Sequence, residues 1–332
     1  MDLNNLKIIL KDEPSYRYRQ VEKAIYKDLI NDWAEATNLP KNLRQKLNHE
    51  CPLAINGEIF KSKDNKTIKA VISLADGKKI ESVLMRHRGG RNSICVSSQV
   101  GCLLGCQFCA TGAMGYKRNL NKSEIIEQFL FLARYLNKIN PLEKISNVIF
   151  MGMGEPFLNY ENVLGAIYDI NDQNKIGLGA RHISISTAGI IDGIKKLAKE
   201  KLQINLAISL HAPDDKLRSE LMPINKRYPL PKLLAAVDNY IIKTSRRVMF
   251  EYLLIDNIND TFTQSKKLAV LMKKPLYLVN LISYNPTGKF EPSSREAIKK
   301  FRNILEKEGV AVTQRNSLGQ DINAACGQLA QI

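Results

Sequence analysis

From about Ser93 onward, short apolar runs alternate with stretches whose apolar residues recur every three to four positions. The runs Ile94–Ser98, Val148–Met151, Ile183–Thr187, Ile204–Leu210, Val248–Leu254, Tyr277–Ile282 and Val310–Gln314 predict β-strands. Between them, Ser123–Leu136, Ile190–Lys199, Lys232–Ile242 and Ser294–Glu306 carry the helical period. Repeated β–α units of this kind predict an α/β fold with a parallel sheet closed, or partly closed, into a (β/α) barrel. In such folds the chemistry sits on loops that follow the strands' carboxyl ends.

The first part of the chain has a different rhythm. Residues 1–50 read as short helices, with Tyr18–Ile25 amphipathic and Asn38-Leu39-Pro40 restarting a helix at Lys41. From about Ile55 to Leu84 the pattern alternates, and Asp76-Gly77 signals a hairpin between Val71–Leu74 and Ile80–Val83. Residues 1–84 are therefore expected to form a small accessory region of helices and a hairpin. Residues 85–332 are expected to form the barrel domain and its C-terminal segment.

Composition adds a partner to this picture. The 332 residues are 44% apolar and 25% charged, as in an ordinary globular protein, and the formal charge is +16. Residues 1–50 hold 9 Lys/Arg against 8 Asp/Glu, whereas residues 51–124 hold 12 against 5. The surplus thus begins after the first helices. A broad basic surface suits a polyanion, since each neutralised phosphate releases a counterion; solvated lysine-rich faces would give the same count. No apolar run approaches bilayer length and the opening residues do not read as a leader, so a cytoplasmic protein without a membrane partner is expected.

Three of the six cysteines fall within eight residues, as Cys102-x3-Cys106-x2-Cys109 directly after a strand. Flanking glycines let the backbone wrap so that three thiolates can converge on one iron–sulfur cubane. Three protein ligands leave one iron open to the amino and carboxylate groups of S-adenosylmethionine (SAM). Zinc is the rival reading, but it prefers four ligands in paired spacings, and only Cys95, seven residues upstream, stands ready to complete a set. Arg86-His87-Arg88-Gly89-Gly90-Arg91 is a compact basic loop, suited to phosphate or simply an exposed turn.

The triplet, with an aromatic residue before its third cysteine, has the radical-SAM pattern. Together with Cys95–Cys102, Met151–Pro156, Ser209–Pro213, Leu221–Asn225 and Ala324–Leu329, it resembles the RlmN/Cfr family of rRNA adenine methyltransferases. The resemblance implies a [4Fe-4S] cluster on Cys102, Cys106 and Cys109, and SAM contacts from Gly154, Glu155, Ser186, Ser209, Leu210, His211 and Asn285. It implies that Cys326 carries the methyl group, that Cys95 resolves the adduct through a transient disulfide bond, and that Glu81 is an acid/base group. On its own segment Glu81 would read as a solvated charge on a hairpin. Two SAM molecules per turnover are implied, because an aromatic adenine carbon cannot attack a sulfonium directly. Met153–Pro156 and Phe250–Asp256 look more like the branch that methylates adenine C2 than the C8 branch. The implied partners are 23S ribosomal RNA, tRNA as a second substrate, and an electron donor such as flavodoxin. A zinc-stabilised RNA-binding module is the reading from a different class.

Overall fold

The computed structural model describes residues 3–315 and 317–329. Helices α1 (Leu3–Ile9), α2 (Ser15–Tyr26) and α3 (Lys41–Glu50) come first. They close around Trp33, whose indole N–H donates to the Cys51 carbonyl at 2.7 Å and so satisfies its one polar atom in the core.

Strands β1 (Gly57–Lys61), β2 (Thr67–Ser73) and β3 (Lys79–Arg86) follow as an antiparallel meander, with the expected turn at Asp76-Gly77. They are not a detached module. β3 pairs antiparallel with β4 (Asn92–Cys95), and β4 pairs parallel with β7 (Ile145–Phe150), so the meander extends the main sheet. The boundary expected at 84/85 falls inside β3.

Between β4 and β7 lie a small antiparallel pair, β5 (Gln99–Gly101) and β6 (Tyr116–Asn119), the short helix α4 (Ala110–Ala113), and α5 (Lys122–Ile139). α5 starts on a reciprocal cap, in which Asn121 and Glu124 each accept the other's backbone N–H. Its stripe of Ile125, Ile126, Phe129, Leu130, Leu132, Ala133 and Leu136 is buried. Thereafter helices and strands alternate: α6 (Tyr160–Asn171), β8 (Ile183–Thr187), α7 (Ile191–Leu197), β9 (Asn205–Ser209), α8 (Asp215–Leu221), α9 (Leu230–Thr244), β10 (Val248–Leu254), α10 (Phe262–Met272), β11 (Tyr277–Ser283), α11 (Arg295–Lys307) and β12 (Val312–Arg315).

The ten-stranded sheet runs β1-β2-β3-β4-β7-β8-β9-β10-β11-β12, and the pairs from β4 onward are parallel. β12 and β1 are its edges, so the barrel is partial. β8 and β10 occupy the expected residues, since strands covered on both faces are short apolar runs with sharp polar ends. No helix among the described residues is long and apolar enough to cross a membrane.

Candidate active site

Two adjoining cavities open inside the partial barrel, and the expected residues distribute between them. The first lies at the strands' carboxyl ends and is bordered by Cys102, Cys106 and Cys109, by Gly152, Gly154 and Glu155 after β7, by Ser186 of β8, and by Ser209 and His211. The cysteine loop is held by its neighbours. Gln107 N–H donates to the Leu221 carbonyl at 2.9 Å, and Ala110 N–H to the Gly327 carbonyl at 2.8 Å. Gly101 has φ +74°, and a Cβ there would meet the Gly115 carbonyl oxygen at 1.8 Å, so only glycine lets the loop close.

Burial pushes the Cys102 thiol up to about 12 and the Cys106 thiol well above its ordinary value, with the neighbouring cysteines adding to the effect. Burial thus favours the protonated thiols, and a metal centre bound here would hold them as thiolates. Among the described residues, no group of three or more His, Cys, Asp or Glu side chains is disposed to hold a single ion. Three sulfurs spread around one cavity suit a cluster, which is larger than an ion. A buried cation stands behind them. Arg218 on α8 donates to the carbonyls of Ala188 (2.7 Å), Ser209 (3.0 Å) and Leu210 (3.2 Å), and to Asn225 Oδ1 (2.8 Å). It thereby ties the ends of β8 and β9 together, and its charge favours the Cys106 thiolate.

Glu155 is 3% exposed and accepts the N–H groups of Phe157 (3.0 Å) and Ala188 (2.7 Å). Burial outweighs those bonds and raises its carboxyl to about 7. Gly154 has φ +94°, and a Cβ there would lie 2.5 Å from Gln99 Cβ. His211 is neutral: burial first, and Arg218 second, push its imidazole down to about 3. Its Nδ1 accepts Leu253 N–H at 3.0 Å, which spends one ring nitrogen on the end of β10. Leu210 and Asn285 do not border this cavity. The Leu210 side chain is core. Asn285 Nδ2 donates to the Cys326 carbonyl at 3.0 Å, and its Oδ1 accepts from Gln320 at 2.7 Å.

The second cavity is bordered by Cys95, Cys326, Val83, Met85, Met151 and Arg315. Cys326 borders both cavities. Its segment is drawn there by the Gly327–Ala110 bond, by Thr111 Oγ1 donating to the Leu329 carbonyl at 2.9 Å, and by Gln328 donating to the Pro286 carbonyl at 3.2 Å. Cys95 is pushed up to about 12 by burial and by the Cys326 sulfur. All six cysteines are free, so no standing disulfide joins Cys95 to Cys326.

Glu81 is not the solvated hairpin charge that its own segment suggests. It is fully buried on β3, on the same face as Val83 and Met85, and accepts from Lys69 Nζ at 3.2 Å. The pair is dry because nearly every residue of β2 and β3 is buried, and Gly319 of the C-terminal segment lies against Thr67, on the Lys69 face. Sequence reading missed Lys69, Arg218 and Arg315. Each is an isolated basic residue, and nothing in its local pattern sets it apart from surface charge.

The comparisons with known proteins agree with this geometry. Residues 96–268 match the radical SAM superfamily, and residues 3–53 match the ribosomal RNA large subunit methyltransferase N-terminal domain. A probable dual-specificity RNA methyltransferase RlmN of Carboxydothermus hydrogenoformans is 46% identical over 99% of this chain and 97% of its own. One from Dictyoglomus thermophilum is 45% identical over 99% and 94%. The crystal structure of a radical SAM methyltransferase from Sphaerobacter thermophilus superposes with a TM-score of 0.94 at 42% identity, covering 99% of this chain and 98% of that one. With relatives this similar over almost its whole length, the chain belongs to the RlmN family of RNA methyltransferases within the radical SAM superfamily.

Proposed function

We propose that this chain methylates C2 of an adenine in 23S ribosomal RNA, and an adenine of tRNA anticodon loops as a second substrate, through a methyl-cysteine intermediate. The observation that carries the reading is Cys326, the thiol that borders both the cavity of the cysteine triplet and the chamber of Cys95. C2 of adenine is not nucleophilic, so a carrier must deliver the carbon, and that carrier must reach both SAM and the base.

Cys102, Cys106 and Cys109 would hold the [4Fe-4S] cluster, and Gly154, Glu155, Ser186, Ser209 and His211 would line the SAM site. Leu210 and Asn285, which the resemblance also assigns to SAM, lie behind that lining: the Leu210 carbonyl accepts from Arg218, and Asn285 holds the Cys326 carbonyl. When bound, the cluster supplies the electron for reductive cleavage of SAM, and two SAM molecules are consumed per methyl group transferred. The chain's residues do the rest. The Cys326 thiolate accepts a methyl group, and its carbon, after losing hydrogen, bonds to C2 and tethers the RNA. The adduct then gives up one electron, which the cluster would take back, and one proton, which Glu81, in contact with Lys69, or Cys95 takes. The Cys95 thiolate then attacks the Cys326 sulfur: the sulfur–carbon bond breaks, its electron pair takes up a proton to complete the methyl group on C2, and a transient disulfide is left. A reducing cytoplasm resets it, and a flavodoxin-type protein supplies electrons. C8 methylation has no comparable support, since the relatives quoted above carry the RlmN name. The test is mass spectrometry of nucleosides from RNA incubated with the reconstituted enzyme, SAM and reductant. 2-Methyladenosine is expected, and 8-methyladenosine as the product would overturn the reading.

Glu155 makes SAM affinity depend on pH. Its carboxyl is raised to about 7, so it is neutral below that pH and anionic above it. If it meets the SAM ammonium group, affinity rises with pH through about 7 and falls roughly tenfold per unit below it. Calorimetric titration of the cluster-loaded enzyme between about pH 6 and 8 measures this, and a flat profile would remove Glu155 from the site.

The basic loop is only partly available to RNA. Arg86 is committed to Glu143 through two bonds of 2.6 and 3.2 Å, whereas Arg88 and Arg91 are exposed. RNA affinity is expected to fall with salt by a log–log slope of roughly −0.7 to −0.9 per neutralised phosphate. Arg88→Ala with Arg91→Ala should flatten that slope by about two phosphates' worth. An unchanged slope would leave the loop as solvated surface.

A further inference from the structure

Among the described residues, Arg315 at the end of β12 is the one cation that borders the Cys95–Cys326 chamber, and its guanidinium is poorly matched to what surrounds it. Nη1 lies 3.8 Å from Met151 Sδ and Nη2 lies 3.7 Å from Met85 Sδ. Among the described residues, these two thioethers are its only hydrogen-bond partners. A guanidinium carries five N–H donors, and a thioether is among the weakest acceptors in proteins. The nearby carboxylate of Glu251 is already bonded by Asn280 Nδ2 at 2.8 Å. The guanidinium is half-buried and faces two thiols with donors that no strong protein acceptor takes, so it is available to a ligand that offers one.

Arg315 also borders a second, wider mouth. This mouth is lined by Ser93, Asn147 and Ser184 at the starts of β4, β7 and β8, and by Lys66, Arg88 and Arg91. The cysteine triplet's cavity lies at the opposite ends of the same strands. A polyanion held at the basic mouth would therefore meet Arg315 on the way to Cys326.

We propose that Arg315 receives the target adenine, donating from its guanidinium to the ring nitrogen beside the carbon that is methylated. This rests on the C2 reading above. C2 is flanked by N1 and N3, both in-plane acceptors, so a planar donor beside the Cys326 sulfur meets one of them when C2 faces that sulfur. The base takes the place of two thioethers, and the guanidinium gains a charge-assisted bond. The contact sets the in-plane orientation of the ring, and with it which carbon points at Cys326. A guanine would present an N1–H donor to the same cation if turned that way.

The test pairs protein variants with single-atom changes in a synthetic stem–loop RNA that carries adenosine, 1-deazaadenosine or 3-deazaadenosine at the target position. Wild type is expected to lose roughly 10- to 100-fold in kcat/KM on one of the two analogues, the factor of a hydrogen bond to a charged group. Arg315→Met should show a similar loss with adenosine and no further loss on that analogue, and Arg315→Lys should recover part of it. Iron and sulfide content equal to wild type shows that the variants fold. If Arg315→Met lost a further full factor on both analogues, or if only a methylphosphonate beside the target nucleotide were insensitive in the variant, the ring-nitrogen contact would be wrong. Failure of wild type to form 2-methyladenosine from adenosine would instead strike the functional reading itself, and this one with it.

Discussion

Replacement of any one of Cys102, Cys106 or Cys109 by Ala is expected to abolish SAM cleavage and RNA methylation together. Anaerobically purified wild type should carry about four iron and four sulfide per chain, the content of one cubane, and each variant close to none. The loss is total because three protein ligands hold three of the four irons and leave one open, and the chain offers no spare for a lost ligand. Cys95 and Cys326 border the adjoining chamber, and Cys51 is buried in the core with Trp33. The fold itself should survive. The cysteine loop is fastened by backbone bonds of Gln107 to Leu221 and Ala110 to Gly327, none of which involves a thiol. Circular dichroism and thermal unfolding of the variants should therefore match metal-free wild type. Full activity in a preparation holding stoichiometric zinc and no iron would overturn the cluster assignment.

Much of this site is legible in the sequence because its parts are local. Cys102, Cys106 and Cys109 lie within eight residues, and Gly154, Glu155, Ser186 and Ser209 each sit at or just beyond the end of an apolar run. Strand ends are where a parallel barrel collects its chemistry, so finding the strands was enough to place those residues on one rim. What escapes the pattern is whatever depends on pairing across distance. The Lys69–Glu81 contact follows from β2–β3 register, which sets Lys69 opposite Val83 and Val71 opposite Glu81 on one face. Hairpin alternation predicts an exposed side, but both faces of β2 and β3 are covered in the fold and nearly every residue of the two strands is buried. Arg315 is missed for a related reason. β12 is an edge strand with weak apolar character, expected at Val310–Gln314 and found at Val312–Arg315, so its last residue seemed to lie outside the barrel. Arg86 looks like free charge until Glu143, 57 residues away, is folded beside it.

The second large effect separates two thiols that share a chamber. Cys326→Ala is expected to give neither methylated protein nor methylated RNA, with iron content unchanged, because it removes the acceptor of the first methyl group. Cys95→Ala keeps that acceptor and removes the sulfur that attacks it. It should therefore accumulate RNA bonded through Cys326, visible as a shifted protein band that survives denaturation and collapses with ribonuclease. Neither substitution breaks a cross-link, since both cysteines are free. The volume removed is about one sulfur atom beside an existing cavity, which should cost only on the order of 1 kcal/mol or less. The chemistry of release also explains why Cys95 can wait. Burial pushes its thiol up to about 12, which favours the protonated form, and the Arg315 charge beside it pulls the other way, toward the thiolate that the proposed release step needs. In the mechanism proposed above Glu81 is a proton acceptor; it lies on the same face of β3 as Val83 and Met85, which border the chamber. Glu81→Gln should accordingly slow release more than the first methylation, and trap a smaller amount of the same adduct. If Cys95→Ala turned over normally without adduct, or if Cys326→Ala still methylated RNA, the carbon would reach the base by a route that does not pass through these thiols.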